Sequence, residues 1–171
     1  MQNHLPTSLT RDQDKVVFYV ENQGVWLWGF EPGAADPAVW DRENQPDRAW
    51  QPTGESLSTF LLHAAVFEAI LGAAVGAVAI DMNRDQMDQA LGPMRPAPLP
   101  AWRWPGPETR IYCNDKLLAF AGVNAKPGSP VGPESRYEIY VAANDAEDLA
   151  YLDSLPIEWE QNSRVWPKAA Q

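Results

Sequence analysis

Residues 16 to 30, Val-Val-Phe-Tyr-Val-Glu-Asn-Gln-Gly-Val-Trp-Leu-Trp-Gly-Phe, constrain the fold more than any other stretch of the chain. Two runs rich in β-branched and aromatic residues flank Glu21-Asn22-Gln23-Gly24. That tetrad suits a type I turn, with a polar start and a glycine where positive φ is cheap. The pattern predicts a β-hairpin. Strict alternation would set Val16, Phe18 and Val20 on one face and Val17 and Tyr19 on the other, with Val25 and Leu27 opposed to Trp26, Trp28 and Phe30. Both faces are apolar, so the hairpin belongs to a sheet covered on two sides or to one that keeps a face for a partner.

Further along, Val39-Trp40 and Ala49-Trp50 are apolar nodes in a Pro/Gly-rich and acidic stretch and read as edge strands joined by loops. Leu57 to Leu71 reads as a helix stopped by Gly72. Its main stripe is Leu57, Phe60, Leu61, Ala64, Phe67 and Leu71, and a second stripe of Leu62, Val66 and Ile70 lies opposite. An irregular Ala/Gly connection follows, then a short polar helix from Asp81 to Leu91. Six prolines between 92 and 107 make a stiff crossing. A second hairpin is expected from Thr109–Cys113 and Lys116–Val123 around Asn114-Asp115. Tyr137–Ala142 alternates as a strand with one face buried. Asn144 with Glu147 fits a capping box opening a helix through Leu155, with Leu149, Leu152 and Leu155 inward. Residues 1–15 read as polar loop, 1–160 as one domain and 161–171 as a loose tail.

The run Phe18 to Trp28 resembles the central hairpin of the SUKH superfamily, bacterial immunity proteins related to fungal cell-wall-assembly regulators. Asp36-Pro37-Ala38-Val39-Trp40 is similar to the family's next strand. Trp50 followed by Leu57-Ser58-Thr59-Phe60-Leu61-Leu62 and Phe67-Glu68-Ala69 resembles its Leu-Ser-x-Phe-Leu helix, and Tyr137 to Trp159 its closing strand, helix and Trp. The order of these pieces carries the likeness. The resemblance implies an α+β domain, a mainly antiparallel twisted sheet with helices packed on it. It assigns structural roles to Glu21, Asn22, Gln23, Gly24, Trp26, Trp28, Phe60 and Glu68. It also implies a non-enzymatic protein that neutralises a cognate toxin, a basic nuclease being the natural target. A scaffold or regulatory module without a toxin partner is the alternative. Family members place a helical segment before the hairpin, and only fifteen residues stand there in this sequence.

Composition favours a binding role. Among 171 residues, 23 acidic against 13 basic side chains give a net charge of −10, which argues against a nucleic-acid binder and for a basic partner or simple solubility. Seven acids and no Lys or Arg lie between Tyr137 and Ser163, with Asp145, Glu147 and Asp148 at the expected helix start. They form one candidate contact surface, although acids there also match a helix dipole. Trp40 and Trp50, rimmed by Asp36, Asp41, Glu43, Asp47 and Glu55, form another, or else close the core.

Chemistry is sparse. His4 and His63 with the lone Cys113 cannot build a zinc site, and His63 reads as a hydrogen-bonded packing residue. Cys113 reads as structural, leaving a small hydrolase as a distant third reading. Asp81 to Asp85 imitates a calcium loop, but Gln86 and Gly92 stand where glycine and glutamate are required. No cofactor is expected. One cysteine and no leader point to the cytoplasm. The 21-residue run Phe60 to Ile80 reads as a core helix in preference to a membrane span, because Glu68 and many Ala and Gly residues insert poorly. The two-striped helix and two-faced hairpin predict a homodimer or a requirement for a partner chain.

Overall fold

The computed structural model describes residues 9–160. The fold is α+β, with two five-stranded antiparallel sheets, and it divides into two compact units at Glu68/Ala69. His4 and the 161–171 tail lie outside the described residues.

The first unit holds a meander of β1 (Thr10–Asp12), β2 (Lys15–Val20), β3 (Trp26–Phe30), β4 (Ala38–Glu43) and β5 (Gln51–Ser56), paired in sequence order. The hairpin thus starts earlier than expected, because part of the supposed loop is β1, with Arg11 opposite Val16. The β2–β3 turn is as read. Gly24 sits at φ +73° and donates to the Glu21 carbonyl at 2.7 Å, while the Glu21 carboxylate accepts from Gln23 N–H at 2.9 Å. Strict alternation fails on β2, where the ladder with β3 shifts register between Val17 and Tyr19. A β-bulge lets neighbouring residues share a face. Phe18 and Tyr19 therefore both reach the Phe60 ring, at 5.3 and 5.6 Å between centroids, and Trp28 joins at 5.7 Å. Val17 and Leu27 pack with Trp50 in a separate cluster, joined by Val20 and Trp40. β4 is an interior strand, not an edge.

α1 (Leu57–Leu71) has the expected bounds. Its start is held from a distance, since the Asp36 carboxylate accepts from Ser58 N–H at 2.9 Å and Ser58 Oγ at 2.7 Å. These bonds hold the Asp36 carboxyl below its usual range. Only one stripe is buried, Phe60, His63, Ala64, Phe67 and Ile70, at 3–4 residue spacing. Leu61 of the expected main stripe and Leu62 of the second are 45% and 50% exposed, while Val66 is partly buried and Ile70 joins the buried stripe, so the helix keeps two leucines in the open and buries the far end of the second stripe.

The second unit holds β6 (Gly76–Met82), α2 (Arg84–Leu91), β7 (Arg95–Pro96), β8 (Arg110–Cys113), β9 (Leu117–Val123), β10 (Tyr137–Ala143) and a 3-10 helix, Ala146–Ser154. Spatial order is β6-β10-β9-β8-β7. The expected Ala/Gly connection is β6, an edge strand. It takes Asp81 out of the polar helix, which starts after Asn83. There the Asn83 side chain accepts from Gln86 N–H while Gln86 Oε1 accepts from Asn83 N–H, a reciprocal cap. Where the capping box was predicted, at Asn144 with Glu147, the N-cap is Asp145, without a side-chain cap bond, and the helix is 3-10. Asn144 instead donates its N–H to the Lys116 carbonyl at 3.3 Å. One face of this sheet is the unit's core, with Ala79, Ala119, Ile139 and Val141 against Met87, Ala90, Leu149 and Leu152. Among the described residues no helix is long and apolar enough to cross a membrane.

Candidate functional site

The sheet of the first unit carries a layered polar face. Lys15, 4% exposed, sets its Nζ 4.4 Å from the Trp40 ring centroid and donates to Glu31 at 2.7 Å and Asp14 at 2.9 Å. Burial alone would lower Lys15, but the two carboxylates outweigh it and leave the ammonium raised. Two strands away Arg42 lies over Trp50, 5.2 Å from ring centroid to Cζ, and bonds Asp12 Oδ2 through Nε at 3.0 Å and Nη2 at 2.8 Å. Trp50 Nε1 donates to the same oxygen at 3.2 Å. Gly29 makes the stacking possible, since a Cβ there would lie 3.1 Å from both Trp50 Cη2 and Lys15 Cβ. Trp50 is thus 9% exposed and Trp40 half-buried. The structure places both against cations of their own sheet, which matches the core-closing alternative for these tryptophans.

The opposite face buries polar groups among aromatics. His63 is fully buried and its Nδ1 lies 2.5 Å from Glu55 Oε1. Tyr19 donates its hydroxyl to Glu68, the partner that the Glu68 carboxylate needed on that helix. Asp41, 1% exposed, shares this interior. Sequence reading recognised His63 and Glu68 but set Asp41 and Glu55 on an acidic rim around Trp40 and Trp50; the structure buries both, at 1% and 8% exposed. Trp28 and Phe60 are fully buried, Trp26 is half-buried, and Glu21 to Gly24 form the turn described above.

In the second unit Asp145, at the N-cap, and Glu147, in the first turn of the 3-10 helix, are exposed. Asp148 is largely buried and holds Lys116 Nζ at 2.7 Å, raising that lysine, with Asp145 and Glu147 adding smaller contributions. Asp153, Glu158 and Glu160 are exposed further along. Glu160 N–H bonds the Val78 carbonyl at 2.9 Å, which ties this acidic segment to the β6 edge, and Gln86 Nε2 bonds the Pro156 carbonyl at 2.6 Å. Glu138, on β10 opposite Gly122, lies on the sheet face shared with Tyr140. Burial pushes its carboxyl up to about 7.

Cys113 is partly buried at a recess of about 350 Å³ with Asn114, Asp115, Lys116 and Asn144, a lining that contains no histidine. Among the described residues no group of three His, Cys, Asp or Glu side chains could hold a metal ion. Compared with known families, curated proteins and solved structures, the chain matches no family model, no curated protein and no solved structure.

Proposed function

We propose that this chain is a non-enzymatic immunity protein that binds and neutralises a basic toxin domain. The observation that carries the reading is the acidic segment after β10. Asp145, Glu147, Asp153, Glu158 and Glu160 are exposed, and residues 137–160 contain no Lys or Arg. A surface on which carboxylates outnumber the one cation beside them, Lys116 on Asp148, steers an oppositely charged protein during encounter and does so without any reactive group. The ordered resemblance to SUKH proteins supplies the biological class, and the net charge of −10 agrees with a basic target. Asp148 takes a different role from its neighbours: with Lys116 already on its carboxylate, it positions the start of the 3-10 helix, while Asp145 and Glu147 meet the partner.

Stopped-flow association with a basic nuclease toxin domain tests the reading. The on-rate is expected to fall as salt rises from low to physiological levels, because exposed charges are screened beyond roughly 8 to 10 Å. Asp145→Lys with Glu147→Lys should lower it about tenfold at low salt. A salt-independent rate, or one indifferent to the reversal, contradicts the assignment of this surface.

A further inference from the structure

A second feature of the second unit runs against the charge of the chain. Beside α2 the sheet leaves a cleft of about 250 Å³ whose lining includes Arg84, Arg110, Tyr112, Tyr137, Met87 and Glu108. Its placement follows from register. Arg110 pairs with Ala121, and Arg110 and Tyr112 are two residues apart on β8, so both project on the face that carries Ala121 and Tyr137. α2 brings Arg84 to the same place as the first residue after the Asn83 cap. Its guanidinium carbon lies 5.7 Å from the Tyr137 ring centroid, and Asp88 meets it at Nε, 3.3 Å away. Arg110 is exposed and has no ion-pair partner among the described residues. Both arginines act electrostatically on the Tyr112 hydroxyl, so the two cations and the ring share one small space.

We infer that this cleft binds a small amphipathic carboxylate, its charged end on Arg84 and Arg110 and its apolar body against Tyr112, Tyr137 and Met87. Two guanidiniums over an aromatic and thioether wall match that ligand, since arginine forks bond carboxylates well and the rings offer flat apolar area. The volume suits a ligand smaller than a drug-sized molecule. Glu108 on the rim selects against a dianion such as phosphate, whose second charge it would repel.

Ligand-observed NMR on the full chain with benzoate as probe tests the inference. Saturable binding is expected with a dissociation constant of about 1 mM or tighter, within what so few heavy atoms can supply. Arg110→Gln and Arg84→Gln should each weaken it at least about tenfold, as loss of a charge-assisted bond does. Arg48→Gln, at a residue paired with Glu43 in the other unit, should leave it unchanged. Near-ultraviolet circular dichroism establishes that each variant is folded. The inference is overturned if benzoate does not saturate, if Arg110→Gln binds it as well as the parent, if benzyl alcohol binds equally, or if inorganic phosphate displaces it at equal concentration.

Discussion

At the scale of single residues, Lys15 and His63 are buried with carboxylates against them, Glu31 and Asp14 on the one and Glu55 on the other. Removing one side of the Glu55–His63 pair should be costly, because a hydrogen bond between two buried side chains is lost. Glu55→Ala is expected to lower unfolding free energy by about 1–3 kcal/mol, measured in urea. Gly29 was legible only as a small residue between Trp28 and Phe30. Its need became apparent once Trp50 and Lys15 were seen over it, and Gly29→Ala should cost about 1–3 kcal/mol through overpacking. Glu138 makes stability depend on pH. Its folded pKa of about 7 lies above the ordinary 4.5, so the folded state favours the neutral acid. Its contribution is fully present below about 4.5 and is lost as pH rises to about 7. Glu138→Gln should therefore remove that dependence and stabilise the protein at pH 8 relative to the parent, by about 3 kcal/mol at most. An unchanged pH profile would place the titrating burden elsewhere.

Among the elements, those with strong internal signals were readable and those made by their neighbours were not. The β2–β3 hairpin announces itself through a turn whose Glu21 and Gly24 act locally, and α1 through a long apolar period. β6 is different: Gly-Ala-Val-Ala-Ile has little preference for a strand, and it becomes one because β10 offers an edge, with Tyr140 opposite Val78. The bulge on β2 is likewise a property of the ladder, and it reassigns Tyr19 to the aromatic interior. Cap prediction chose the wrong site for an instructive reason. Asn83 with Gln86 and Asn144 with Glu147 carry the same spacing, but Asn144 is committed to the Lys116 carbonyl through its backbone. Asn83→Ala should cost about 1 kcal/mol, while Asn144→Ala, lacking a cap bond to lose, should cost less; thermal melts of the two variants make the comparison.

Taken whole, the molecule divides its charge. Exposed carboxylates gather between positions 145 and 160, Lys15 and Arg42 are spent on Trp40 and Trp50, and two arginines line the cleft beside α2. The candidate site was legible as an acidic block, because charge runs survive without knowledge of the fold. The inward role of the tryptophans was legible only as one of two alternatives, since Lys15 reaches Trp40 from two strands away and Arg42 meets Trp50 only once β4 and β5 pair. The measurement that bears most directly on the proposed immunity role is a protection assay, in which cells produce this chain together with a basic nuclease toxin domain. The account predicts survival with the parent chain and reduced protection with Asp145→Lys and Glu147→Lys at matched protein levels. Death of cells producing the folded parent chain, or full protection by the reversed variant, would contradict it.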